Sequence, residues 1–101
     1  EVISVEDYYI WTPSAFTPNG DGSNEIYQPI LHNIIKSSFE IFIYDRWGKL
    51  VYQSTDITSG WDGIRQDNGT PAEIDSYSFL TRFNTHRNAI QEKTGSFLLL
   101  K

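Results

Sequence analysis

A chain of 101 residues, 39% hydrophobic and 15% aromatic, has the size of one domain with one core, and such a chain buries about two thirds of its unfolded surface. Its 13 acidic against 8 basic residues leave a net charge of −5, a field that repels phosphate backbones and anionic headgroups and speaks against nucleic acid as a partner. The absence of cysteine removes thiolate metal sites, thiol nucleophiles and disulfide staples together, so stability rests on packing and the compartment must be argued from motifs.

The apolar runs, such as Phe97 to Leu100, fall far short of the roughly 20 residues that cross a bilayer, so no membrane insertion is expected. The chain starts at Glu1 without a Met, which places any export signal in an upstream part of a longer parent. The whole of 1–101 reads as a single domain, with 1–10 either a linker or a first strand.

In chain order, the first candidate strand is Tyr8 to Trp11. A loop rich in Pro, Asn and Gly follows from Pro13, and Glu25 to Leu31 is the second candidate. Phe39, Ile41 and Ile43 then alternate with Glu40, Phe42 and Tyr44, a strand with one core face. Leu50 to Ser54 comes next. Tyr77, Phe79, Thr81 and Phe83 alternate with Ser78, Leu80 and Arg82 in a second strong strand, and Ala89 to Lys93 and Gly95 to Leu100 close the chain. Nowhere do apolar residues recur at the spacing of an amphipathic helix. Asn19-Gly20, Asp21-Gly22, Asp62-Gly63 and Asn68-Gly69 supply the positive φ of tight turns. About seven short strands with this punctuation predict an all-β fold, an immunoglobulin-like β-sandwich.

Signals for catalysis are absent. His32 and His86 have no second His at ligand spacing, and no nucleophile elbow, P-loop or His-Glu-x-x-His stands in the chain. A chain this short leaves little room for a substrate cleft, so the domain is read as no enzyme. The densest polar stretch is Thr17 to Glu25, with oxygen donors at alternate positions around two glycines, the arrangement hard cations prefer. Laid over an EF-hand loop with Asp21-Gly22 at positions five and six, it puts Asn19 at position three, Thr17 at position one and Gln28 where the bidentate Glu belongs, and Asn19, Asp21 and Asn24 are the candidate calcium ligands. The alternative is a loop whose Asn and Asp side chains bond their own backbone, with no cofactor. Trp47 and Trp61, both beside glycine turns, are either exposed platforms for a sugar or a protein or the lids of a small core. Asn68-Gly69-Thr70 formally matches a glycosylation acceptor and equally makes a turn.

Three segments in order carry a resemblance: Pro13-Ser14-Ala15-Phe16-Thr17-Pro18-Asn19-Gly20-Asp21-Gly22-Ser23-Asn24-Glu25, Ile43-Tyr44-Asp45-Arg46-Trp47-Gly48-Lys49-Leu50-Val51-Tyr52, and Gly60-Trp61-Asp62-Gly63. Together with the Tyr77-Ser78-Phe79 strand and the closing Lys93 to Lys101, they resemble the gliding motility-associated C-terminal domain, the type B sorting domain of the type IX secretion system. The likeness spans Trp11 to Lys101. It departs at Glu25, where the family commonly has Asp, and at Glu73-Ile74-Asp75-Ser76, where the family has a Gly-containing turn. The resemblance implies a non-catalytic secretion signal and surface anchor of a large protein such as an adhesin. Such a domain is recognised by the outer-membrane translocon with a PorP/SprF-type partner. The protein would pass through the periplasm of a Gram-negative Bacteroidetes-type bacterium to its surface or exterior. The domain itself would be a monomeric unit of the larger protein.

A folded label is read by rigid groups on turns. The expected recognition residues are therefore Phe16, Pro18, Asn19, Gly20, Asp21, Gly22, Asn24 and Glu25 of the first loop, Arg46, Trp47 and Gly48 of the second, and Trp61, Asp62 and Gly63 of the third. Phe97, Leu99 and Lys101 of the last strand join them, since a terminal strand can offer its backbone at a sheet edge. The same turns can serve only to hold strand register. The competing reading is an adhesive or carbohydrate-binding module using Trp47 and Trp61.

Overall fold

The computed structural model describes residues 8–20, 22, 25–85 and 90–100. Among them there are seven strands and no helix: β1 (Tyr9–Trp11), β2 (Ala15–Phe16), β3 (Ile30–His32), β4 (Ile34–Tyr44), β5 (Leu50–Ser54), β6 (Asp75–Thr85) and β7 (Ile90–Leu99). They form a two-stranded sheet, β1-β3, and a five-stranded sheet in the order β2-β7-β6-β4-β5. The fold is an all-β, immunoglobulin-like sandwich.

Period-two alternation explains the large sheet. Phe39, Ile41 and Ile43 of β4, Tyr77, Phe79, Thr81 and Phe83 of β6, and Phe97 and Leu99 of β7 all point to one buried face. Their outward neighbours Glu40, Arg82 and Glu92 pair across the opposite face, with Arg82 Nη2 2.8 Å from Glu92 and Nη1 3.7 Å from Glu40. Burial of each large apolar side chain stabilises the fold by roughly 1.5–3 kcal/mol.

The small sheet covers one end of that core through Ile10 and Leu31, and irregular chain covers the other through Tyr27, Trp61 and Ala72. Trp61 is the hub: its ring lies 5.3 Å from Tyr77, 5.6 Å from Phe16 and 6.3 Å from Phe97, and its Nε1–H donates to the Ile64 carbonyl at 2.9 Å. Tyr27 stacks on Phe97 with ring centroids 3.7 Å apart. Tyr77 near the start of β6 donates its hydroxyl to the Glu73 carbonyl at 2.7 Å, the corner that Tyr makes in immunoglobulin-type sandwiches.

Three connections pass the chain between sheets. Thr12 to Ser14 carry it from β1 to β2, residues 17–29 return it from β2 to β3, and Asn33 alone, at φ 62, links β3 to β4; Asn is among the few residues with a side chain that adopt this left-handed conformation readily. A further irregularity lies inside β4, where the register to β6 shifts between Ile35 and Glu40. There the Ser38 hydroxyl accepts the Asn84 N–H at 2.7 Å.

Three strand expectations are corrected. Glu25 to Leu31 is not one strand: Tyr27 makes an isolated bridge with Trp61, and only Ile30 onward belongs to β3. Ala89 to Lys93 and Gly95 to Leu100 do not form two strands, because the register from Ile90 to Leu99 runs against β6 without a break; Ala89 lies outside the described residues. Gly95 is a close approach and not a turn, since a Cβ there would stand 2.7 Å from Cε2 of Phe79. The strand the sequence reading missed is β2, two residues lying parallel to the end of β7.

Candidate docking surface

The first loop leaves β2 at Phe16 and is closed by a carboxylate. Glu25 Oε1 accepts the Gly20 N–H at 3.0 Å and Oε2 accepts the Gly22 N–H at 2.9 Å. Gly20 and Gly22 sit at φ 82 and 84, and their two amides turn toward the one carboxylate, as in an anion-binding concavity. The Asn19 N–H donates to the Thr17 carbonyl at 2.9 Å. Of the expected calcium ligands, Asn19 is exposed, while Asp21 and Asn24 lie outside the described residues. No cluster of three or more His, Cys, Asp or Glu able to hold a metal occurs among the described residues.

The second loop joins β4 to β5. Asp45 Oδ1 accepts the N–H groups of Trp47 and Lys49, each at 2.9 Å, and the Gly48 N–H returns to the Asp45 carbonyl at 3.0 Å. Gly48 takes φ 81 to complete the turn. The result holds Trp47 at 81% exposure, with the Arg46 guanidinium 4.9 Å from its ring centre and 3.5 Å from Asp75.

The third loop packs under the second. Arg65 reaches Asp67 at 2.8 Å and Asp45 at 3.4 Å, and Lys49 reaches Asp67 at 3.3 Å. Partial desolvation pushes the Asp45 carboxyl up, but the Lys49 and Trp47 N–H groups and Arg65 outweigh it and hold it below the usual carboxylate range. The Arg65 hydrogen bond, against some desolvation and with help from Lys49, lowers Asp67 to about 2. Hydrogen bonding to Asp67 in turn raises Arg65. Sequence reasoning missed this network; Asp45 directly before Arg46-Trp47-Gly48 was the one visible signal, and nothing local ties Arg65 to a turn 20 residues earlier.

Of the expected recognition residues, Asn19, Gly20, Gly22, Arg46, Trp47, Gly48 and Asp62 are exposed, and Pro18 and Glu25 are half-buried. Phe16, Trp61, Gly63, Phe97 and Leu99 are interior, and the side chains of Phe16, Trp61, Phe97 and Leu99 pack in the core. Trp61 at 0% exposure forms no paired platform with Trp47. Asp62 accepts the Ile64 N–H at 2.9 Å, and a Cβ on Gly63 would meet Pro18 Cγ at 3.0 Å, which packs the first and third loops together. Lys101 lies outside the described residues. An open groove of about 440 Å³ is lined by Gln28, Pro29, Ile30, Leu31, Lys36, Ile57 and Thr58, where Lys36 is the one ionisable side chain.

The end of β7 is also closed. The Leu98 N–H donates to the Ser14 carbonyl at 2.9 Å and the Leu100 N–H to the Phe16 carbonyl at 3.0 Å. Backbone offered for strand addition therefore does not lie at Phe97 to Leu100, where β2 already occupies the edge.

Comparison with protein families matches residues 10–99 to the CHU_C Type IX secretion signal domain. No curated protein matches the chain. Among solved structures, the crystal structure of CopC from Methylosinus trichosporium OB3b is similar, with a TM-score of 0.55 and 16% identity over 90% of this chain and 93% of that one. At that identity the likeness speaks for the fold alone.

Proposed function

Because the chain belongs to the type IX secretion signal domain family, a signal that directs export toward the cell surface or exterior, we propose that the outer-membrane machinery of that system reads it as a folded, non-catalytic label. The observation that carries this reading is Trp47, presented at 81% exposure on a turn that Asp45 holds from inside. A large aromatic group fixed in solvent loses little conformational entropy on docking, the property of an interface anchor. Arg46 over its ring adds a cation that can bond a partner's carbonyl or carboxylate. The first loop, tied by Glu25, packs through Pro18 on Gly63 of the third loop. A PorP/SprF-type outer-membrane protein is the proposed partner. The domain acts as a monomer at the end of a longer protein that crosses the periplasm first.

The experiment is export of a parent protein with and without residues 1–101, alongside the same domain fused to a periplasm-directed fluorescent reporter. Cargo without the domain should remain in the periplasm, and the fused reporter should leave the cell. Normal export of the truncated parent would refute the proposal.

A further inference from the structure

The five-stranded sheet has two edges, and they are treated differently. On β5 the edge is plugged: the Gln66 N–H donates to the Val51 carbonyl at 2.8 Å, its side-chain amide donates to the Gln53 carbonyl at 3.3 Å, and its Oε1 accepts the Gln53 N–H at 2.9 Å. One residue there imitates a paired strand. On the other side β2 covers β7 only opposite Leu98 and Leu99. From Ile90 to Ser96, β7 pairs with β6 alone among the described residues.

The alternation of an antiparallel ladder says which groups are free. Leu98 and Leu100 turn their N–H groups toward β2, and no register shift interrupts β7. Glu92, Thr94 and Ser96 therefore turn their N–H and C=O groups outward, while Gln91, Lys93 and Gly95 turn theirs to β6. The seven residues offer about 23 Å of straight edge, with no Pro and no bulge to deter pairing.

The side chains along this edge specify what fits it. Glu92 is already paired with Arg82 at 2.8 Å. Lys93 is exposed and, among the described residues, is the one charged side chain along this edge without an ion pair. Two residues on, Gly95 presents no side chain, and the Phe79 ring lies across the place a Cβ would take. A strand laid beside β7 would thus set one side chain against Lys93 and the next on that face against Gly95 and the ring covering it.

We infer that the open half of β7, Ile90 to Ser96, is a strand-addition site for an extended segment of the exporting partner, carrying an acidic residue opposite Lys93 and an apolar one opposite Gly95. This rests on the sorting reading above and adds to it a second contact, made by backbone, in the row that β2 begins. Main-chain bonds supply affinity in such additions and the alternate side chains supply selection.

The alternation makes the test specific. Proline at Thr94 removes an outward N–H and should leave the ladder to β6 intact; Lys93→Glu keeps every N–H and reverses the charge. Each variant is placed in the reporter fusion, and its melting temperature is compared with the parent domain. Both should melt as the parent does and both should lower export at least tenfold, with Thr94→Val exported normally. Export of a folded Thr94→Pro or of Lys93→Glu at the parent level overturns the inference while leaving the sorting reading in place. If Thr94→Pro fails to fold, Lys93→Glu decides alone. If the parent fusion itself stays in the cell, the sorting reading fails and takes this occupant with it.

Discussion

Trp47 and Trp61 stand in similar sequence surroundings, each beside a glycine turn, yet one is 81% and the other 0% exposed. Replacing each by Ala should therefore separate folding from recognition. Trp47→Ala removes a ring that supports little of the core, so stability should change by no more than about 0.5 kcal/mol while export of the fused reporter falls. Trp61→Ala opens a cavity at the aromatic hub and should cost about 3–5 kcal/mol, a large share of the 5–15 kcal/mol typical of a domain. Urea unfolding of the two variants measures both values, and an equal loss in each would contradict the assignment of Trp47 to the surface. A second contrast concerns Glu25. Since both of its oxygens accept backbone N–H groups, the loop is closed by a carboxylate, and chelation should leave the melting temperature unmoved whereas Glu25→Ala should lower it. A melting temperature that rises on adding calcium would assign the loop to the ion instead.

At the scale of elements, Gly95 decides whether β7 can pass under Phe79. Gly95→Ala puts a Cβ within 2.7 Å of the ring, and overpacking of that kind costs about 1–3 kcal/mol. Shrinking the ring should return part of it, so the pair Phe79→Leu with Gly95→Ala should be less destabilised than the sum of the two, as a double-mutant cycle by chemical unfolding would report. The same glycine shows why the reading of this strand failed. Glycine between apolar runs usually marks a turn, and only the ring across the ladder tells that here it marks a close approach. The strands β4 and β6 were legible because their alternation is long and local. Two-residue β2 carries no period of its own and exists because the end of β7 offers it partners about 80 residues away. Likewise the loop motifs were visible as motifs, but which of their side chains face inward depends on contacts between loops. The Asp45, Arg65, Asp67 and Lys49 network is such a contact and predicts a pH dependence. Asp45 and Asp67 titrate below their ordinary 3.8, Asp67 at about 2. The folded state therefore binds these protons less readily than the unfolded chain, so their contribution is present above about pH 4 and is lost as pH falls toward 2. Melting temperatures taken from pH 6 to pH 2 should fall less steeply in Arg65→Gln than in the parent, and parallel curves would remove the network as the cause.

Over the whole molecule, the short strand β2 and the end of β7 meet at one edge of the five-stranded sheet. Phe16 and Leu99 are register neighbours, both are buried to within 1% of complete, and Phe16, Tyr27, Trp61 and Tyr77 all contact the Phe97 ring. Phe97 and Leu99 are thus part of the core. A truncation after Ser96 removes two buried apolar side chains, each worth about 2–5 kcal/mol when deleted from a core, together with the partner of β2. Such a deletion should abolish the near-UV dichroism of the aromatic cluster and the cooperative melt, and export should fail because nothing folded remains to be read. A C-terminal truncation by itself therefore cannot identify a docking tail. Leu98, at 47% exposure on the opposite face, provides the comparison: Leu98→Ser keeps Phe97, Leu99 and every backbone bond. If the terminal residues act through the core, the truncation loses both fold and export while Leu98→Ser retains both. Loss of export in a fully folded Leu98→Ser would instead bring the outer face of β7 into the contact.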